Sequence, residues 1–393
     1  MEVLRVSTAK DIKDFLELPI RLYKGEKHWI RPLDQDVMEV FDPQKNHLLK
    51  DGECIQWLVK NDGLIVGRIA AFINRSIFET KNSKGQDLRV GGIGFFECIE
   101  DQNVANLLFE TSEKWLKERG ANAIDGPINF GDRDNWWGAL AEGFDVDPNY
   151  KMPYTKKYYL KLFEDYGFQL YFKQLTYGRK VNAPLLPTYE KVAERLFANP
   201  DYRFATYEKN KLEKYAQDFC TIYNQAWGGH KGVKELSLEE AVFRMKQLQQ
   251  VVDPHIVYFA YYKDEPIAFY INIPELNQVV KHIKNGKLDL MGKLKFLWHL
   301  KIAHTNKKMI GLVFGVVPEF QRKGAMIAIV EYCRRFVQDK IRNRYLDFEM
   351  NWIGDFNPKM MKVAEGIGQP IKVHHTYRKI LDPAIEFERC PEI

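Results

Sequence analysis

Cysteine is scarce in this chain. There are five among 393 residues (Cys54, Cys98, Cys220, Cys333, Cys390), an odd number with no C-x-x-C pair and no histidine at ligand spacing. That excludes a disulfide framework and a zinc site, and points to a reducing compartment. Also missing is any uncharged run of about 18 residues that could span a bilayer. The opening MEVLRVSTAKDIKDF lacks the apolar core of a secretory leader, so a soluble, cytoplasmic protein is expected. Neither sign of charge dominates: 58 Lys and Arg stand against 53 Asp and Glu, a net of +5. A dedicated nucleic-acid binder would need a far stronger basic excess, so no nucleic-acid partner and no metal are expected.

Aromatics are abundant at 13%, enough to fill large cores or to wall apolar clefts. The length asks for two or three domains, and the chain reads as one pattern used twice. In the first half, strand (Val3 to Ser7) and helix (Ala9 to Leu18) precede a hairpin, CIQWLVK and LIVGRIAAFIN about Asn61-Asp62-Gly63. A buried strand VGGIGFFECI, a helix (Val104 to Arg119), the strand AIDGPINF, a helix (Thr155 to Tyr166) and a last strand FKQLTYGRKV follow.

The second half repeats that order. Strand Tyr202 to Tyr207 and helix Lys209 to Trp227 are followed by a second helix from Ser237, with a Ser237/Glu240 capping box. Then come the hairpin HIVYFAYY/PIAFYINI, the buried strand MIGLVFGVV, a helix from Gly324, the strand YLDFEMNWI, a helix Asn357 to Gly366 and the closing strand IKVHHTYRKIL. The expected fold is α/β, a mixed sheet in two tandem domains, 1–182 and 201–393, joined by a Pro-containing linker 183–200.

The sharpest chemical signal is Gly315-Val316-Val317-Pro318-Glu319-Phe320-Gln321-Arg322-Lys323-Gly324-Ala325. An apolar strand ends at Val317 and a helix begins near Gly324. Such a turn offers backbone N–H groups and the positive end of a helix dipole to an anion, with Arg322 and Lys323 adding charge. A pyrophosphate is the natural guest; an ordinary strand-to-helix turn is the plainer reading.

With that context the chain resembles the GNAT acyltransferase superfamily, whose V-x-P-x-[YF]-[QR]-x-x-G-x-[GA] loop grips the CoA pyrophosphate. Val316, Pro318, Phe320, Gln321 and Gly324 match, while Met326 stands where the family has a small residue. The resemblance implies a splayed central sheet flanked by helices in each domain, acetyl-CoA or another acyl-CoA as co-substrate, and a small-molecule or peptide amine as acceptor. It implies cofactor contacts from Val316, Val317, Gln321, Arg322, Lys323, Gly324, Ala325 and Asn357. The two-half layout is similar to the doubled members of the group.

The matching turn of the first half, Phe96 to Val104, has no Gly, Arg or Lys and brings Glu100 and Asp101 to the helix start. Carboxylates there would repel a pyrophosphate, so the first half is expected to keep the fold without CoA. It has gained a long loop instead, GDRDNWWGALAEGFDVDPNYKMPY. Arg133, Asp134, Asn135, Trp136 and Trp137 are candidate substrate contacts, or else a packed Asp–Arg and Trp cluster. Asn224 and Trp227 after the first helix of the second half, and Asn277 after its hairpin, are further candidates for the acceptor side.

Direct acyl transfer needs an amine that has lost a proton and a polarised carbonyl. The family often supplies a Tyr acid four residues before the Gly that ends the last helix; here those positions are Ala364 and Phe163. Tyr377 and Glu349 are the substitutes for acid and base, with His374 and His375 beside Tyr377. The plainer reading of Glu349 is a salt-bridged strand carboxylate. Finally, residues 281–308 hold eight Lys against Asp289 alone, with Leu290, Met291, Leu294, Leu297 and Leu300 at helical spacing. A solvated face over a buried stripe, a membrane-surface contact and attraction of CoA phosphates all fit. The leading reading is an acyl-CoA-dependent N-acyltransferase; the alternative is a non-catalytic acyl-CoA-binding or scaffold protein.

Overall fold

The structure is a computed structural model that describes residues 1–131, 133, 135–227, 235–249, 251–341 and 344–392. The first half runs β1 (Glu2–Arg5), α1 (Ala9–Leu22), α2 (Asp34–Glu39), β2 (Glu53–Asn61), β3 (Leu64–Ile73), β4 (Glu79–Lys81), β5 (Asp87–Cys98) and α3 (Gln102–Lys117). It continues with β6 (Ala123–Gly126), β7 (Ala139–Glu142), α4 (Tyr158–Asp165) and β8 (Gln169–Lys180). Helix α5 (Pro187–Phe197) then leads to the second half: β9 (Tyr202–Thr206), α6 (Leu212–Trp227), α7 (Leu238–Leu248), β10 (Val257–Tyr262) and β11 (Glu265–Pro274). Short α8 (Asn277–Val280) and α9 (Leu290–Leu297) precede β12 (Lys308–Val316), α10 (Ala325–Lys340), β13 (Asp347–Gly354), α11 (Pro358–Glu365) and β14 (Gln369–Ile380).

Local chemistry sets many of these boundaries. Ser237 and Glu240 form the reciprocal capping box at the start of α7, and Asp101 caps α3 by accepting from the Asn103 N–H. The hairpin β2–β3 turns through Asp62 (φ 47°) and Gly63 (φ 83°), both left-handed as tight hairpins demand. Each half buries its own core: Phe96, Phe109, Phe163 and Tyr159 in the first, Tyr258, Phe259, Phe269 and Ile329 in the second.

The repeat appears in space as a palindrome. The path through the sheet is β1-β2-β3-β5-β6-β14-β8-β13-β12-β11-β10-β9. Among the described residues, only β5–β6 and β12–β13 are parallel pairs. The last strands have changed places: β14 hydrogen-bonds to β6 of the first half, and β8 to β13 of the second. At the centre β8 and β14 pair antiparallel from Gln169↔Arg378 to Gly178↔Gln369. The expected mixed sheets of two tandem halves are present, joined into one, with each half closed by the other's final strand. A sequence repeat carries no label saying which copy a strand will pair with.

The segment 183–200 also differs from a plain connector. Helix α5 lies along α10, with Ala193 and Leu196 packed on Ala328 and ion pairs from Glu190 to Arg334 and from Glu194 to Arg335.

Because every route through the sheet crosses the exchanged pair, the halves should melt together. Calorimetry is expected to give one transition, and Thr376→Pro, which deletes a ladder donor in β14, should lower that transition without splitting it. Two separable transitions would contradict the exchange.

Candidate active site

The cleft begins with a register accident on both of the parallel strands. β12 and β13 pair from Lys308↔Asp347 to Gly311↔Met350, then separate. On β12, Gly311 faces Asn272 and Val313 faces Ile271, so Leu312 is an extra residue outside the β11 ladder. On β13, Met350 faces Tyr177 and Ile353 faces Leu175, which leaves one extra residue at Asn351–Trp352. Two bulges at one level open the sheet. The result is a cleft of about 500 Å³ walled by Leu312, Phe314, Met326, Met350, Trp352 and Met360, with Asn357 and Arg133 at its edges. Its lining is predominantly apolar, and three methionines make it adaptable. Met326, the departure from the family loop, is part of this wall.

In the first half the same opening is narrower: β5 is bulged at Phe95–Phe96, where Arg68 faces Glu97 and Ala70 faces Gly94, and a cavity of about 80 Å³ remains beside Phe95, Glu97 and Pro127. There β5 and β6 pair from Val90↔Ala123 to Gly92↔Asp125, but the Ile128 N–H then donates to Ile93 O at 2.7 Å. A Cβ on Gly94 would lie 1.7 Å from Ile128 O, so the chain 127–130 is pressed onto β5. Phe130 stacks on Phe72 beside it.

The turn after β12 forms as the sequence predicts. Pro318–Phe320 is a 3₁₀ turn and Gly324, at φ +90°, caps α10. The first-turn N–H groups of α10 have no acceptor within the helix, and they point out of its positive end. Gln321 Nε2 donates to Val316 O at 3.2 Å and stiffens the loop, while Lys323 pairs with Glu319 at 2.7 Å. Gly324 has a second reason to be glycine: a Cβ would lie 2.4 Å from Val192 of α5. Asn357 Oδ1 caps α11 by accepting the Met360 N–H.

Beneath the cleft, on the opposite face of the sheet, lies a buried ionic cluster. Glu349 is 3% exposed and is held by Lys308 at 2.5 Å and Lys372 at 2.6 Å. Asn149, from the long loop of the first half, donates to Glu349 and to Asn351, each at 2.7 Å. Glu275 completes it, accepting the N–H groups of Tyr150, Asn277 and Gln278. Burial pushes the Glu349 carboxyl up, but Lys372 and Lys308 outweigh it and hold it below its ordinary 4.5. Burial pulls Lys372 below its ordinary value against the pull of Glu349. A carboxylate so held is a poor base. Asn351 is the one member of this cluster that also lines the cleft.

Several residues singled out in the sequence lie elsewhere. Tyr377 does not reach the cleft: it is fully buried in the first half's core, stacked on Phe163, and donates to Glu164. Strand exchange carried it there, and with it the proposed acid. His374 and His375 are kept neutral, burial pulling both down to about 4; His374 bonds to Pro153 O. Trp137 is core, packed with Phe72, Phe130 and Phe172, and Trp136 packs on Phe95. Asn135 accepts from Asn129 through its carbonyl. Asn224 bonds both the N–H and the C=O of Leu236. Asn277 is buried and ties the halves, donating to Pro148 O at 2.9 Å. Arg133 is the described residue of the loop 131–137 that borders the cleft, its carbonyl accepting from Trp352 Nε1. Asp134 and the Trp227 side chain lie outside the described residues. Lys308, Lys372, Asn149 and Glu275 were missed, although a lysine inside each of two β-rich runs is the signal that could have found them.

A mixed sheet doubled about an exchanged strand pair, with a splayed parallel pair and a Gly-capped turn beside it, is the tandem GNAT fold. Among solved structures, the tandem GNAT protein from the clavulanic acid biosynthesis pathway superposes with a TM-score of 0.52 at 8% identity, over 97% of this chain and 99% of that one. A GCN5-related N-acetyltransferase from Sphaerobacter thermophilus gives 0.51 at 10% identity, over 99% and 98%. In sequence, protein YghO of Escherichia coli K12 is 28% identical over 94% of this chain and 93% of its own. The bacterial ceramide synthase of Caulobacter vibrioides is 27% identical over 97% and 98%. No protein-family model matches the chain.

Glu349→Gln leaves two buried ammonium groups facing a neutral amide and should cost about 3–5 kcal/mol of stability at neutral pH. Since the folded carboxyl titrates below 4.5, the wild type's advantage is complete above that pH. It should be lost as pH falls through the lower folded value. Denaturant melts of both proteins across that range check the sign.

Proposed function

We propose that the protein is an acyl-CoA-dependent N-acyltransferase that moves a long acyl chain from the CoA thioester to an amphiphilic amine. The observation that carries this reading is the methionine-rich apolar cleft of about 500 Å³ opening beside the Gly324 turn. An acetyl group needs no such wall, whereas each buried CH₂ of a longer chain gains about 0.8 kcal/mol there. The name of the Caulobacter relative supports the acceptor class, since a ceramide is a fatty amide of a long-chain amino alcohol.

In this reading the N–H groups at the start of α10, with Gln321, Arg322, Lys323 and Ala325, hold the CoA pyrophosphate. Val316 and Val317 deliver the strand to that turn, and the Asn357 amide steadies the CoA arm. The first half, with its narrower opening and acids at its turn, holds no CoA. At the bulge, the Leu312 N–H lies outside the β11 ladder and is the donor we assign to the developing oxyanion. The amine attacks the carbonyl carbon, the C–N bond forms, the C–S bond breaks, and the thiolate takes the proton the amine gives up. Desolvation in an apolar cleft disfavours the ammonium form, so the walls themselves release the amine as a nucleophile. With Ala364 in place of the usual Tyr acid and Glu349 bound by two lysines, positioning supplies the barrier reduction. Those same two facts favour the second reading, an acyl-CoA-binding protein without turnover.

Long-chain acyl-CoA at a hundredfold excess over its Kd should stabilise the fold by about 2.7 kcal/mol, a Tm rise of about 3 °C. Acetyl-CoA should do less. Met360→Trp, which fills the cleft from its half-exposed edge, should abolish the rise while leaving the unliganded Tm in place. Amide formation from a long-chain amine, followed by mass spectrometry, should rise with acyl length and with pH through the amine's own pKa. A shift without product supports the binding-protein reading, and no shift with any CoA overturns both.

A further inference from the structure

The basic insert contradicts the plainest reading of its own sequence. Leu290, Met291, Leu294 and Leu297 recur at helical spacing and would ordinarily face the core. Here α9, and the π-helical turn Trp298–Ile302 that continues it, show that stripe to solvent. Leu290, Met291, Leu294, Leu297, Trp298 and Ile302 are each between 51% and 78% exposed. Phe296 and Leu300 point inward, onto Tyr150, Leu276 and Val279, and His299 stacks on His282. A large apolar stripe left open on a folded surface marks an interaction site.

The charges around it identify the partner. Lys281, Lys284, Lys287, Lys293, Lys295 and Lys301 are all exposed. Asp289, the one acid of this stretch, is spent capping α9 through the Gly292 N–H at 2.8 Å. Helix and turn together cover residues 290–302, about 20 Å at 1.5 Å per residue. No helix among the described residues is long and apolar enough to cross a membrane. A second copy of the chain fits poorly, because a two-fold contact would bring the two lysine rims together. An apolar stripe rimmed by lysine is instead complementary to an anionic lipid surface.

We propose that residues 281–302 form an interfacial docking element, which lays the exposed face of α9 and the Trp298 turn into an anionic bilayer. The element is seated on Tyr150, next to the Asn149 that bonds Glu349, so docking would turn the first half's long loop toward the lipid. This inference stands apart from acyl transfer and is tested without it.

Flotation of the purified chain with phosphatidylcholine vesicles, with and without about one-third phosphatidylglycerol, reads the binding directly. Co-flotation is expected with the anionic vesicles and should weaken with added salt. Lys293→Gln with Lys295→Gln should weaken partition about thirtyfold, and Leu294→Glu with Leu297→Glu about a hundredfold. Both pairs change only exposed positions, and an unchanged melting curve shows that they fold. The proposal is overturned if the wild type stays unbound, if either variant floats like the wild type, or if neutral vesicles bind equally well. It is also overturned if sedimentation shows a dimer that the leucine variant dissolves, since a second copy would then cover the face.

Discussion

Everything in this molecule hangs on the antiparallel pairing of β8 with β14 at the middle of the sheet. Each of these strands is the last of its own half and the closing strand of the other. Neither half can therefore complete its hydrogen-bond ladder alone, and the main path through the sheet ends at β1 and β9. The exchange also decides what meets what. It draws Lys372 of β14 under β13 to reach Glu349, and it carries Tyr377 away into the first half.

The buried charges follow from that junction. Two lysines and a glutamate out of water would be costly unless each found a partner. They do so by drawing on four separate parts of the chain: β12, β13, β14 and the long loop bearing Asn149. This is the function of that loop that the structure supports most directly. Its Asp147–Tyr150 segment braces the second half, with Asp147 O accepting from Lys372, and its tryptophans pack rather than project. The cleft on the other face of the sheet can then be nearly free of charge, touched by the cluster only through Asn351.

The two halves show how one fold reaches opposite states with the same strands. In the second, a bulge on each parallel strand pushes the pair apart and α10 begins with a basic, glycine-capped turn. In the first, β5 is bulged too, but Ile128 rejoins Ile93 and the turn is acidic.

Much of this was legible in the residues themselves. Periodicity, capping boxes and left-handed turn residues act over a few positions, so the order of elements and the Gly324 turn could be read from the chain, and the acidic turn of the first half likewise. What the sequence could not determine is which distant surfaces meet. Strand exchange, the Lys308–Glu349–Lys372 cluster and the outward turn of the α9 stripe each depend on contacts between residues tens or hundreds of positions apart. A helix's periodicity gives it an apolar face but does not say whether that face turns toward the core or toward the outside. Glu349 looked like a candidate base because a carboxylate on a central strand carries the same letters whether it faces a substrate or two lysines. Only the tertiary structure, by fixing its neighbours at 2.5 and 2.6 Å, decided that it is held rather than free.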